Sequence, residues 1–369
     1  MHKPVLLQEV IKYLDPKPNQ NFIDATVGDG GHASEILRHI SPSGQVLGID
    51  WDETAIKNLK GVGSNGVEKG EGGERGENKI VRSGLDTGSN AWEAEPPRTY
   101  YRSGIEPRSY PSPLQQSSGQ ARSGQVIGDL ESRLVLKQGN FAEIKNIFSR
   151  SDLEGVAGVL FDLGLRTGQI EGVGSNGEKG VEKGEKGERG FSYKYNGPLD
   201  MRFDRSQSLT AAEIVNTWSE EELAKIFREL GEERNYKKIA RAIATARQKN
   251  KITTTAELVE IIDKIHKSNR TYARVFQALR MAVNGELENI QAGLEGAWDV
   301  VALHGRIAVI SFHSLEDRVV KNFFKEKQAA GAGEILTKKP ARPSAEEIRA
   351  NPKSRSAKLR VIQKIESRK

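Results

Sequence analysis

The stretch Asn21-Phe22-Ile23-Asp24-Ala25-Thr26-Val27-Gly28-Asp29-Gly30-Gly31-His32-Ala33 decides the fold. Its first half, Asn21–Thr26, is an apolar run of strand length. A glycine turn follows, and Ser34 to His39 continues as a helix. Glycines remove the Cβ atoms that would keep a ligand off the backbone, and a helix start offers free N–H groups and a positive dipole end. The next apolar run, Gln45–Asp50, ends in an acid at the distance where a carboxylate can accept both hydroxyls of an adenosine ribose. Strand, glycine turn, helix and acid together predict a nucleoside-cofactor site.

Outward from this site the chain alternates between short apolar runs and amphipathic helices, the pattern of an α/β sheet with crossover helices. Leu134–Gln138, Val156–Asp162 and Arg306–Phe312 are further strands, and Glu334–Thr337 and Lys358–Ile365 follow with a basic loop between them. Between Leu209 and Ile265 the pattern is helical throughout. Ser219-Glu220-Glu221-Glu222 and Thr254-Thr255-Ala256-Glu257 read as capping boxes, and Leu258, Ile261, Ile262 and Ile265 share one helix face. An all-helical domain is therefore inserted into the α/β chain.

Two segments share neither period. From Gly61 the chain reads GVGSNGVEKGEGGERGENK and stays rich in Ser, Pro, Arg and Gly to about Asp129; Gly172 to Gly190 repeats the phrase as GVGSNGEKGVEKGEKGERG. Such composition predicts disorder, and loop closure tolerates long insertions at little cost. The mixture of Glu and Lys favours tolerated insertions over RNA-binding arms. Such segments explain why the whole chain of 369 residues has as many as 38 glycines and only 36% hydrophobic residues.

Cysteine is absent, which excludes disulfides, iron–sulfur clusters and thiolate zinc sites, and points to a reducing compartment, the cytoplasm. No window approaches the length of an apolar membrane span, and the N-terminal residues carry no secretory pattern. The net charge of +6 favours a polyanionic partner without proving one. His39, His266 and His304 lack metal-ligand spacing, so no metal is expected.

The glycine turn alone leaves the cofactor open, because Gly28, Gly30 and Ala33 also satisfy the G-x-G-x-x-A form of dinucleotide sites. Asp24, on the first strand, favours S-adenosylmethionine: carboxylates attract a sulfonium and an ammonium group but repel a pyrophosphate. Asp162 closes the fourth strand at the carboxyl edge of the sheet, where ligands of open α/β folds sit, and Gln169 lies in the loop after it. Phe141 follows the third strand, where it either stacks on an adenine or belongs to the core. His313 with Ser311, Ser314 and Asp317 imitates a hydrolase triad, but no nucleophile elbow accompanies it. Ser314-Leu315-Glu316-Asp317 reads more simply as a helix cap.

Six longer motifs carry a family resemblance. They are His2-Lys3-Pro4-Val5-Leu6-Leu7; Thr26-Val27-Gly28-Asp29-Gly30-Gly31-His32; and Arg189-Gly190-Phe191-Ser192 with Gly197-Pro198-Leu199-Asp200-Met201-Arg202. Then come Phe276-Gln277-Ala278-Leu279-Arg280-Met281-Ala282-Val283-Asn284; Ser311-Phe312-His313-Ser314-Leu315-Glu316-Asp317-Arg318; and Asn351-Pro352-Lys353-Ser354-Arg355-Ser356-Ala357-Lys358-Leu359-Arg360. In that order they resemble the MraW/RsmH family of 16S rRNA cytosine-N4 methyltransferases. The resemblance implies a class I, Rossmann-like core for S-adenosyl-L-methionine with a helical substrate-recognition domain. It implies, too, a cytidine in the decoding region of 16S rRNA, within the small ribosomal subunit, as substrate. By position it implies cofactor contacts at Gly30, Gly31, His32, Asp50, Phe141, Asp162 and Gln169, with Asp162 also the expected catalytic group.

The corresponding boundaries are 1–60 and 131–171 for the first part of the core, 61–130 and 172–190 for the insertions, 200–272 for the helical domain and 273–369 for the second part of the core. One motif departs from the family. Where the family has Asp-Leu-Gly-Val-Ser-Ser-Pro-Gln, this chain reads Asp162-Leu163-Gly164-Leu165-Arg166-Thr167-Gly168-Gln169. A family-derived ribosome-assembly or RNA-binding protein with little or no methyl transfer is thus the alternative, and an NAD-dependent dehydrogenase the second. For RNA phosphates the expected footprint is Lys338, Lys339, Arg342, Lys353, Arg355, Lys358 and Arg360, with Arg241, Arg247, Lys249 and Lys251 on the helical block. The oligomeric state, a homodimer being one possibility, is not written in the sequence.

Overall fold

A computed structural model describes residues 4–61, 132–163 and 189–367. Nearly all of both expected insertions, Gln169 and the altered Leu165–Gln169 segment lie outside the described residues. The first part of the chain forms α1 (Leu7–Leu14), β1 (Asn21–Asp24), α2 (Gly31–His39), β2 (Val46–Asp50) and α3 (Glu53–Gly61). After the first insertion come β3 (Leu134–Gln138), α4 (Ile144–Ser149) and β4 (Val156–Asp162). The helical block comprises α5 (Ala211–Thr217), α6 (Glu220–Glu229), α7 (Tyr236–Ala246), α8 (Thr255–Asp263) and α9 (Asn269–Asn284). The chain closes with α10 (Glu286–Val300), β5 (Val301–Ser311), α11 (Ser314–Ala329), β6 (Gly333–Ile335), α12 (Ala345–Ala350) and β7 (Lys358–Lys364).

The seven strands pair in the order β3-β2-β1-β4-β5-β7-β6. β1 to β5 run parallel, and β7 is antiparallel to both β5 and β6. Alternation along the strands sorts the apolar residues into two cores. Ile23, Leu47, Val159, Ile307 and Ile362 form one row across the sheet and pack with α4, α10 and α11. Phe22, Val46, Leu160, Ala308 and Val361 face the opposite side, against α1, α2 and α3. Coverage of both faces explains why β2 is buried at every position and reads as a continuous apolar run.

A third core, separate from the sheet, is built by the helical block around Ile214, Leu223, Phe227, Ile239, Ile243, Leu258 and Ile262. Both expected capping boxes are present: Ser219 and Glu222 exchange hydrogen bonds at the start of α6, and Thr254 and Glu257 do so at the start of α8. Removing one such side chain leaves an N-terminal amide without its partner. Thr254→Ala is therefore expected to lower stability by about 1 kcal/mol in chemical denaturation, with the midpoint shifted and the slope unchanged.

Several expected boundaries move. β1 stops at Asp24, since Thr26 turns its hydroxyl to another strand. β5 begins five residues early, at Val301, and ends at Ser311 rather than Phe312, while β6 covers Gly333–Ile335. α2 starts at Gly31, not Ser34, because Gly30 is left-handed (φ 77°) and its carbonyl accepts the Ser34 amide. The N-cap of α11 is His313 rather than Ser314, with the Glu316 side chain returning to the His313 backbone. The boundary expected at 272/273 falls inside α9, whose Val275, Phe276, Leu279 and Val283 all belong to the helical core; the change of core comes at the left-handed Gly285. Phe191 and Leu199 likewise join that core ahead of residue 200.

Candidate active site

The glycine turn is held from both sides by the strands next to it. Beyond Asp24, the Ala25 amide donates to Leu160 O and the Val27 amide to Ile49 O, both at 2.8 Å. The Gly28 amide then donates to Asp50 Oδ2 at 2.9 Å, and the Asp52 amide to Asp50 Oδ1 at 2.8 Å. These bonds fix the Asp50 carboxylate at the carboxyl end of β2. Thr26 Oγ1 accepts the Asp162 amide at 2.6 Å, tying the end of β4 to the same turn.

One cleft gathers most of the expected site residues. Val27, Gly28, Asp29, Gly31, His32, Asp50, Phe141 and Asp162 line it. Gly30 shapes the turn behind them, and a Cβ there would meet Leu59 at 2.9 Å. At Gly31 a Cβ would lie 2.5 Å from Pro4, so only glycine lets the N-terminal segment cross the turn. Phe141 is edge-on to Phe161 with ring centroids 5.7 Å apart, and it packs against Gly293 of α10 while still lining the cleft. It is a core aromatic with one part turned to the site. Gln169 lies outside the described residues.

His32 is 7% exposed and its Nε2 lies 2.9 Å from Val5 O. A carbonyl can only accept, so Nε2 carries the proton and Nδ1 faces Asp162 Oδ2 at 3.8 Å. His32 thus joins the N-terminal segment to the end of β4. Glu347 of α12 holds the same segment from the other side, its Oε1 accepting the Leu6 amide at 2.8 Å.

Asp24 sits behind the turn, 1% exposed, with Oδ1 accepting the Thr26 amide at 3.2 Å. Burial raises its pKa to about 7; His32 and the Thr26 amide oppose the rise, and the Asp162 and Asp50 charges add to it. Asp24, Asp50 and Asp162 close β1, β2 and β4, which lie side by side in the sheet. Asp50 and Asp162 line the cleft and Asp24 is buried just behind it, an arrangement that a cation would relieve and a pyrophosphate would aggravate.

The opposite wall comes from residues that sequence reasoning did not single out. Trp51 and Phe203 meet with centroids 5.7 Å apart, and Phe312, Arg280, Glu286 and Glu316 complete the lining. Phe203 is placed through Asn284, whose Oδ1 accepts the Phe203 amide and whose Nδ2 donates to Met201 O, each at 2.8 Å. The Gly197–Arg202 and Phe276–Asn284 motifs are thereby two halves of one wall. Their spacing in sequence gave no sign of this, because the contact spans 81 residues.

Arg280 donates to both oxygens of Glu286, at 2.7 and 2.9 Å. Ligand atoms of Glu286, His313 and Glu316 all lie within 4.8 Å of one another, the spacing of a metal site. The donors are already committed, however: Glu286 to Arg280, and Glu316 Oε2 to the Phe312 and His313 amides. His313 Nε2 lies 3.0 Å from Glu316 Oε1 but makes no hydrogen bond, so the set is a polar network at the cleft wall with one buried nitrogen unsatisfied. Part of the expected RNA footprint is committed too. Lys358 and Arg360 both bond Asp317, and Arg247 donates to Val215 O and Trp218 O beyond the C-terminus of α5.

A parallel sheet with an antiparallel β7, a glycine turn after β1 and acids closing β1, β2 and β4 define a Rossmann-like, S-adenosylmethionine-dependent methyltransferase. Known proteins agree on which kind. The chain belongs to the MraW methylase family, whose model matches residues 1–66 and 115–365. It is 35% identical to "Ribosomal RNA small subunit methyltransferase H" of Symbiobacterium thermophilum, over 99% of this chain and 97% of that one. The protein of the same name from Persephonella marina is 36% identical, with 99% of each chain covered. Among solved structures, an rRNA methylase from Streptococcus thermophilus aligns over 99% of both chains at 9% identity and a TM-score of 0.36.

Proposed function

We propose that this protein methylates the exocyclic N4 amine of a cytidine in the decoding region of 16S rRNA, with S-adenosyl-L-methionine as donor and the small ribosomal subunit as substrate. The observation that carries the reading is the placing of Asp50 and Asp162 on the cleft beside the glycine turn, with Asp24 buried behind that turn. The names of the relatives supply the rRNA, and the family supplies the acceptor atom. Such a substrate places the protein in the cytoplasm; among the described residues no helix is long and apolar enough to cross a membrane.

S-adenosylmethionine supplies a methyl group activated by a positive sulfonium. The chain's own residues do the rest. Gly28, Gly30 and Gly31 leave the backbone approachable, Asp50 lines the cleft as the ribose acceptor, and the acid cluster favours a cation. Gly30, Gly31, His32, Asp50, Phe141, Asp162 and Gln169 form the proposed cofactor set. His32 acts through the Val5 and Asp162 contacts described above.

The N4 amine of cytosine is a weak nucleophile because its lone pair is delocalised into the ring. Asp162, 24% exposed at the cleft edge, accepts a hydrogen bond from that amine and then its proton as the new N–C bond forms. Trp51, Phe203 and Phe312 give the apolar walls a base needs once it has left its stack, and the helical unit on that side is the substrate-recognition domain. The experiment is transfer of labelled methyl to small subunits that lack the modification, with nuclease digestion of the product. Label in N4-methylcytidine is the expected result. A folded, cofactor-binding protein that transfers none would be the assembly protein instead.

A further inference from the structure

Outside the cleft, α7 and α8 enclose a second groove on the helical unit. Lys238, Arg241, Lys249, Lys251 and Lys264 surround it, all of them exposed. Among the described residues none of the five is held in an ion pair, whereas Arg247, Lys358 and Arg360 are engaged by neighbouring groups. Two acids also face the groove. Glu257 accepts the Thr253 and Thr254 amides of the capping box, which keeps it ionised, so Glu257 and Glu260 together offset two of the five cations and leave the groove with a positive excess.

The floor follows from helix spacing. Lys238, Arg241, Ala242, Thr245 and Ala246 lie at successive i+3 and i+4 positions of α7 and so share one face. Short side chains at Ala242 and Ala246 keep the middle of that face low, and Ile261 and Ile265 of the facing segment close it below the cations. From Lys238 to Ala246 the helix rises about 12 Å, the length of several nucleotides at roughly 3.4 Å each. No aromatic residue lines the groove, so nothing there can stack on a base. A basic rim over a small aliphatic floor suits ribose and phosphate rather than base edges.

We propose that this groove is a phosphodiester clamp, holding the backbone of the RNA substrate at a point separate from the base being methylated. The proposal rests on the rRNA reading for its ligand, but none of its residues lines the cleft. Such a clamp adds affinity that is blind to sequence and sensitive to salt, and fixes the register in which the target base meets the cleft.

The test uses the full chain and a labelled oligouridylate, which has no cytosine to place in the cleft. Binding is measured across a salt series for the wild type and for the triple variant Arg241→Gln, Lys249→Gln, Lys251→Gln. Removing one cation from a single-strand phosphate should flatten the slope of log K against log salt by about 0.7, so the triple variant's slope should be shallower by about 2 and its binding at least about tenfold weaker at moderate salt. Affinity for S-adenosylhomocysteine should be unchanged, which shows that the fold survives; Lys238→Gln with Lys264→Gln serves as a second, independent pair. Equal oligouridylate binding by wild type and variants, or no binding by the wild type, overturns the clamp, the latter leaving the groove to an acidic protein partner. Methyl transfer to small subunits is followed in parallel. A wild type that binds oligouridylate through this groove yet transfers no methyl sinks the methylation reading alone; transfer with unaltered RNA affinity in the variants sinks the clamp alone.

Discussion

Asp162→Ala is expected to reduce methyl transfer to small subunits by about 10²–10⁴-fold while leaving the protein folded, the range for removal of a positioned general base. The carboxylate closes β4, with its backbone amide held by Thr26 Oγ1 and one oxygen facing His32. Truncation at Cβ leaves that backbone hydrogen bond intact, so β4 and the turn keep their places. Single-turnover rates with a bound cofactor separate this loss from weaker binding. A variant that merely raised KM, with the rate at saturation preserved, would mean that Asp162 binds and does not take the proton. Asp162→Asn should recover little, since an amide oxygen can accept a hydrogen bond but not the proton.

Asp24→Asn should abolish the pH dependence of cofactor binding. In the free protein the Asp24 carboxyl titrates near pH 7 because it is buried. A cation in the cleft favours its charged form, so binding S-adenosylmethionine expels the proton. Affinity should therefore fall as pH drops below about 7, approaching tenfold per unit, and level off above it. Calorimetry across this range, repeated in buffers of different ionisation enthalpy, reads both the affinity and the released proton. Asp24→Asn should give a flat profile and weaker binding at alkaline pH. A wild-type profile already flat would exclude Asp24 as a charge that responds to the cofactor.

The same titration has a consequence for the fold without ligand. A carboxyl whose pKa rises from 3.8 to about 7 on folding is favoured in its protonated form. Its stabilising contribution is complete below the unfolded value and is lost as pH rises through the folded one. Wild-type stability should then decline between about pH 4 and pH 8 by on the order of 4 kcal/mol, and Asp24→Asn should remove that decline.

Much of the sheet was legible because strand runs such as Val46–Asp50 and Val156–Asp162 are apolar on both faces and bounded by polar residues. The glycine turn and Asp50 were legible for a different reason: both lie within one local stretch, and the chemistry they serve demands particular residue types at short spacing. The opposite wall was not. Arg280, Glu286, Glu316, Trp51 and Phe203 meet only after α9 and α10 fold back on the sheet, and nothing in local periodicity marks them as neighbours. Charge counting failed for a related reason. Lys358, Arg360 and Arg247 read as exposed cations until the structure brings Asp317 and the carbonyls after α5 against them. The role of His313 depends likewise on where α11 begins, and Glu316 reaching back to its amide moves that start by one residue.

The bond from the Leu6 amide to Glu347 joins residues 341 apart, and it holds the segment that Gly31 must be a glycine to admit. During synthesis the glycine turn and the His32 contact to Val5 emerge early, but the Leu6 amide has no acceptor until α12 has left the ribosome. The segment over the turn is therefore secured in two stages, first by His32 and later by Glu347. A nascent chain halted before Glu347 would present the turn and Asp50 under a segment held by His32 alone, so the cover of the cofactor site is completed by a part of the chain made long after the site itself.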